Sequence, residues 1–170
     1  GQERFPLDDR FQTDPQDADT DDDGLLDGRE GGRLERGEVL GGTSPVDFDT
    51  DGDGLGDGQE QGLLVPQESP KHPGATRDDR FRPDADPQSV TDPALADTDF
   101  DGLSDGDEDQ DRDGRHDLDE TDPNDRDTDD DGMDDGWEVY FSRPANCAEG
   151  VTPLDPLDPA DGRLDLDDDG

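Results

Sequence analysis

One twelve-residue pattern, Asp-x-Asp-x-Asp-Gly-x-x-Asp-x-x-Glu, occurs five times in this chain, at 19–30, 49–60, 97–108, 109–120 and 127–138. Nothing else in the sequence restricts the fold as strongly. Each copy is a full oxygen-donor set for one hard divalent cation. Position 1 supplies Asp19, Asp49, Asp97, Asp109 and Asp127. Position 3 supplies Asp21, Asp51, Asp99, Asp111 and Asp129. Position 5 supplies Asp23, Asp53, Asp101, Asp113 and Asp131. Position 7 offers a backbone carbonyl, from Leu25, Leu55, Leu103, Arg115 and Met133. Position 9 offers Asp27, Asp57, Asp105, Asp117 and Asp135, often through water. Position 12 offers Glu30, Glu60, Glu108, Glu120 and Glu138, which can bind with both oxygens. Glycine at position 6 permits the turn that closes such a loop. Random acidity would not hold Gly at position 6 and Glu at position 12 in every copy. The donor set and flexible loop fit Ca2+, about five ions or more, better than Mg2+, which prefers a smaller octahedral shell with retained water.

Composition makes the cation a condition of folding. The net charge is −40, with 54 acidic residues against 14 basic, and 23% of residues are apolar. Such a chain cannot bury enough apolar surface to offset its conformational entropy and its self-repulsion. Five divalent ions would leave it near about −30, still strongly acidic. Nucleic acid and direct membrane insertion are therefore not expected.

The repeat is longer than its loop. Thr-Asp-Pro leads in at 13–15, 91–93 and 121–123, with Thr43-Ser44-Pro45 as a variant. The proline sets an extended approach. Asp17, Asp47 and Asp125, two residues before their loops, could reach a neighbouring ion. Gly28, Gly58, Gly106 and Gly136 at position 10 weaken a helix there. The chain divides into repeats over 1–60, a Pro-rich insert at 61–90, repeats over 91–138, an insert at 139–151, and a degenerate, truncated repeat at 152–170. In the last, Asp161-Gly162-Arg163 parallels Asp113-Gly114-Arg115, which would put Asp161 at position 5 of a sixth loop lacking two ligands. Asp155 or Asp158 could compensate. Residues 33–36 read as a short helical turn. Phe11, Phe81, Trp137, Tyr140 and Phe141 read as satellite clusters around the loops, with no single core.

The loops followed by their flanks do not read as EF-hands, since Gly31-Gly32 and Gln61-Gly62 follow two of them where a helix would be needed. Asp97–Glu108 after Thr91-Asp92-Pro93, and Asp127–Glu138 after Thr121-Asp122-Pro123, instead resemble the bacterial form of the thrombospondin type 3 repeat. The resemblance covers the five loops and their lead-ins and leaves the inserts unexplained. It implies a mostly irregular, extended fold of tandem calcium-wrapped loops, with little regular secondary structure and no large hydrophobic core. It also implies a secreted or cell-surface setting, and neighbouring ions sharing ligands in the tandem pair 97–108 and 109–120. The animal repeats carry spaced disulfide cysteines. This chain has only Cys147, so its rigidity should depend more fully on ions.

No catalytic constellation stands apart. The recurring acids are accounted for by ligation, His116 falls in a non-ligand slot, His72 in a Pro-rich stretch, and Cys147 has no histidine near it in sequence. The expectation is no enzyme but a structural calcium-binding segment: a stiffened stalk, spacer or adhesive matrix element, with calcium and other surface proteins as partners. The alternative is a calcium-dependent self-assembling fibre or adhesion subunit. A dockerin-like module is weaker, because dockerin loops are followed by helices. The chain begins without Met and ends mid-motif at Asp165–Gly170, as an excised piece of a longer secreted protein would.

Overall fold

The computed structural model describes residues 13–30, 33–35, 38–40, 42–71, 73–143 and 153–162. His72, Cys147, Phe11 and the half-motif at 165–170 lie outside the described residues.

Regular structure is sparse. An antiparallel ribbon pairs β1 (Arg33–Glu35) with β2 (Glu38–Leu40), in the register Arg33 to Leu40, Leu34 to Val39 and Glu35 to Glu38. The segment expected to form a helical turn at 33–36 is thus in part a strand. The β-branched Val39 in the pairing strand favours extended backbone over a helix. Among the described residues three helices follow: α1 (Asp57–Glu60), α2 (Asp105–Glu108) and α3 (Asp135–Ser142). All three begin at loop position 9. Two of them end at position 12 after one turn, and only α3 continues into the 139–151 insert.

The loops themselves have a shared backbone form. Position 4 is left-handed in every copy, as Asp22, Gly52, Phe100, Arg112 and Asp130, with φ between 59° and 82°. The position-6 glycines follow with φ between 82° and 107°. Two such residues so close together coil the chain tightly and aim successive carboxylates inward. In each loop the position-6 N–H donates to the position-1 carboxylate, at 2.7 to 3.2 Å. The position-7 N–H donates to the position-5 carboxylate, at 2.6 to 3.0 Å.

Among the described residues the buried apolar side chains are Leu25, Leu55 and Leu154. Fifteen buried residues are Asp or Glu. The interior of this fold is therefore carboxylate, and hydrophobic burial cannot be what holds it together.

Candidate metal centres

The recurring threonine at position 2 explains how position 9 is placed. The Thr50 N–H and hydroxyl donate to the two oxygens of Asp57, at 2.7 and 2.6 Å. Thr20 holds Asp27, Thr98 holds Asp105 and Thr128 holds Asp135 in the same way. Each of these threonines also accepts the N–H of the lead-in residue, for example Asp92 to Thr98 at 3.0 Å. The lead-in threonine has a second role. Thr91 donates to Glu60 at 3.0 Å, and Thr43 to Glu30 at 3.4 Å, so each lead-in orients the position-12 Glu of the repeat before it. Thr121 occupies the corresponding place beside Glu108.

Position 9, held by the threonine of its own loop, is thereby brought to the carboxylates of the loop before it. Asp57 groups with Asp23 and Glu30, and Asp105 groups with Asp53 and Glu60, with carboxylate oxygens within 4.8 Å of one another. Within the loops, Asp19, Asp21 and Asp23 form one such group and Asp49, Asp51 and Asp53 another. Cations held there would lie at and between the joints of the repeats.

The joints close through glycine. A Cβ built on Gly58 would stand 2.2 Å from the Asp23 carbonyl oxygen; on Gly106, 2.4 Å from that of Asp53; on Gly136, 2.5 Å from that of Asp101. The Gly106 N–H donates to Asp53 at 2.9 Å and the Gly136 N–H to Asp101 at 2.6 Å. The ladder therefore runs from loop 19–30 to 49–60 to 97–108 to 127–138. Along the ladder 97–108 is followed by 127–138, although 109–120 is its neighbour in sequence.

Loop 109–120 packs back on loop 49–60. Gln59 donates to the Arg112 carbonyl at 2.8 Å. Its position-7 residue, Arg115, pairs with Asp113 at 3.3 Å and Asp117 at 2.7 Å. Glu120 accepts from the N–H groups of Gln110, Asp111 and Asp117. This loop has an arginine where the others have Leu or Met, and Gln110 where the others have Thr, and both departures are visible in the sequence. One ring nitrogen of His116 lies 3.0 Å from the Glu120 carbonyl and the other 3.6 Å from Asp122. The insert supplies Asp84 to this loop. Asp84 is 2% exposed, its Oδ2 is unpartnered, and the next N–H, of Ala85, donates to the Asp113 carbonyl at 2.7 Å.

The same insert wraps loop 19–30. The Thr76 hydroxyl donates to Asp19, the Arg77 N–H donates to Asp22 at 2.9 Å, and Arg77 and Arg80 both pair with Asp22 at 3.4 Å. The Phe81 ring lies on the face of Gly24, as the packing role expected for it requires. The Phe48 ring covers Gly56 similarly, with Arg82 5.9 Å above it. Trp137, Tyr140 and Phe141 do cluster, with ring centroids 4.4 and 5.0 Å apart, on an exposed side of α3. Asp17 accepts from the Asp19 N–H at 3.4 Å, and Asp47 and Asp125 are exposed.

Electrostatics make these clusters costly without a counter-charge. Burial, reinforced by Asp23 and Asp21, pushes Glu30 up to about 9. Burial with Asp51 and Asp53 pushes Glu60 up to about 9 as well. Asp23 rises to about 8, through burial and then Asp21, and Asp21 and Asp57 rise to about 7, mainly through burial. Buried oxygens at the same ligand positions have no hydrogen-bond partner: Oδ2 of Asp21, Asp51, Asp99 and Asp129 at position 3, and Oε2 of Glu30 and Glu60 at position 12. Buried polar atoms are nearly always satisfied. A repeated set of unsatisfied anionic acceptors, converging in pairs and triplets, is the donor chemistry of a hard cation site. These acidic groups can hold metal ions.

No family model matches this chain, and neither a curated protein nor a solved structure matches it.

Proposed function

We propose that this chain is a calcium-binding structural segment of a secreted or cell-surface protein, in which the ions stiffen a stalk, spacer or adhesive matrix element. The observation that carries the reading is the double placement of Asp57 and Asp105. Each is fixed by a threonine of its own loop and reaches the position-5 and position-12 carboxylates of the loop before. A cation there ties two repeats together, so occupancy would govern the angle and stiffness of each joint and not only the fold of one loop. Calcium suits the all-oxygen donor set, and its availability outside cells suits sites with this much residual negative charge. The likeness of the loops and lead-ins to thrombospondin type 3 repeats supports the same setting.

Small-angle scattering of the purified chain across a calcium titration tests this. Compaction of the metal-free chain to a rigid particle of constant mass is expected, because ligation removes the repulsion that expands it. No change in dimensions would overturn the reading.

A second reading, a calcium-dependent self-assembling subunit, rests on Gly28. Its counterparts Gly58, Gly106 and Gly136 are each packed under another loop's carbonyl, whereas a Cβ on Gly28 would meet none of the described residues within 4 Å. A repeat from a second copy could seat there, and head-to-tail contacts of that kind propagate. A calcium-dependent rise in mass in the same titration would favour it.

A further inference from the structure

We infer that Asp161 is a cation ligand of loop 127–138, delivered from outside that loop by the segment 153–162; this rests on the cation-binding reading above. Carboxylate oxygens of Asp129, Asp131, Glu138 and Asp161 lie within 4.8 Å of one another. Glu138 is fully buried, with both oxygens unpartnered. Asp129 Oδ2, Asp131 Oδ2 and Asp161 Oδ1 are buried and unpartnered beside it. No donor among the described residues meets these five oxygens, so the group is built to receive a cation from outside the chain.

The segment 153–162 is shaped to present that one side chain. The Asp158 N–H donates to the Asp155 carbonyl at 2.8 Å, and the Asp161 N–H to the Asp158 carbonyl at 3.1 Å. The Asp155 N–H then donates to Asp161 Oδ2 at 2.8 Å. In a full repeat two residues share this work: the position-2 threonine accepts the lead-in N–H and clamps the position-9 Asp, which reaches the preceding loop. Asp161 performs both parts. Its Oδ2 takes the lead-in N–H and its Oδ1 faces the cluster. Gly162 follows it as Gly58 follows Asp57, and a Cβ there would stand 2.2 Å from Asp131 Oδ2. Leu154, one of the three buried apolar residues, and the Ser142 hydroxyl bound to its carbonyl anchor the segment to the end of α3. The cation thus clasps the segment 153–162 onto the end of the ladder.

Trp137, the single tryptophan, adjoins Glu138 in sequence and provides a local probe. Terbium ion, a hard trivalent stand-in for calcium, is titrated into the chain while luminescence sensitised by Trp137 is recorded. Asp161→Asn is expected to move the midpoint about tenfold or more to higher terbium. Asp158→Asn, an exposed change on the same segment, should leave it in place. Total calcium bound at saturation by Asp161→Asn should fall by no more than one ion, because the other loops are intact. Coincident midpoints for Asp161→Asn and the unaltered chain would overturn the assignment, as would loss of binding at every loop. Absence of sensitised luminescence in the unaltered chain would instead overturn the cation-binding reading itself.

Discussion

The Asp23 carbonyl oxygen occupies the space beside Gly58 that any side chain would need, with 2.2 Å between that oxygen and a Cβ built on the glycine. The contact joins position 5 of one loop to position 10 of the next and recurs at Asp53 with Gly106 and at Asp101 with Gly136. It is a backbone contact, so a larger residue cannot be accommodated by a side-chain rotation.

Gly58→Ala should therefore destabilise the calcium-loaded chain by about 1–3 kcal/mol, the usual cost of overpacking. Gly28→Ala meets no neighbour among the described residues and should be neutral or mildly stabilising, since alanine leaves the unfolded chain less conformational freedom to lose. Thermal melts of the two variants in saturating calcium give the comparison. Equal melting temperatures would contradict the stacking of loop 49–60 on loop 19–30.

Acid should partly replace the cation. Burial and like-charge neighbours raise Asp23 and Glu138 to about 8 and Glu30 and Glu60 to about 9 in the folded, metal-free chain. The unfolded chain holds such groups near 4. A folded-state value above the unfolded one gives stability that is fully present below about pH 4 and is lost as pH rises through the folded values. The metal-free chain should then be compact near pH 4–5 and expand between about pH 6 and 9. Its hydrodynamic radius, followed after removal of divalent ions, reports this directly. Expansion on acidification would contradict it.

Orientation of the position-12 glutamates should matter as well as their presence. Thr91 donates to Glu60 Oε1 and leaves Oε2 free. Thr91→Val keeps the shape and removes the donor. The expected outcome is about a tenfold loss of affinity at one calcium site, in the range seen when outer partners of metal ligands are removed. Titration calorimetry would resolve it as one weakened site among unchanged ones.

Loop 109–120 should contribute least. Glu120 already accepts three backbone N–H groups, and Arg115 occupies Asp113 and Asp117. Glu120→Gln should lower overall calcium affinity less than Glu60→Gln, and Arg115→Leu should raise it by freeing two carboxylates. Competition titrations with a calcium chelator of known affinity would rank the three.

The sequence by itself determined the loops. Alternating Asp, Gly at position 6 and Glu at position 12 fix which atoms face inward, because those are short-range matters of φ, ψ and hydrogen bonds within twelve residues. The scarcity of regular structure was legible for the same reason that a core was excluded: too few apolar residues. The order of the ladder was not. That 97–108 is followed by 127–138, that position-9 carboxylates reach back to the preceding loop, and that Asp84 and Asp161 approach loops far from them in the chain are decided by tertiary packing. The position-10 glycines were the available signal, since a helix-weakening residue in four of five copies asks for a close approach; in sequence they read only as a local weakness. Local likeness places Asp161 at position 5 of a degenerate repeat, and only the fold brings its carboxylate beside Asp129, Asp131 and Glu138 of loop 127–138. Local geometry is written in neighbouring residues, but which carboxylates come together across a joint depends on where distant segments meet.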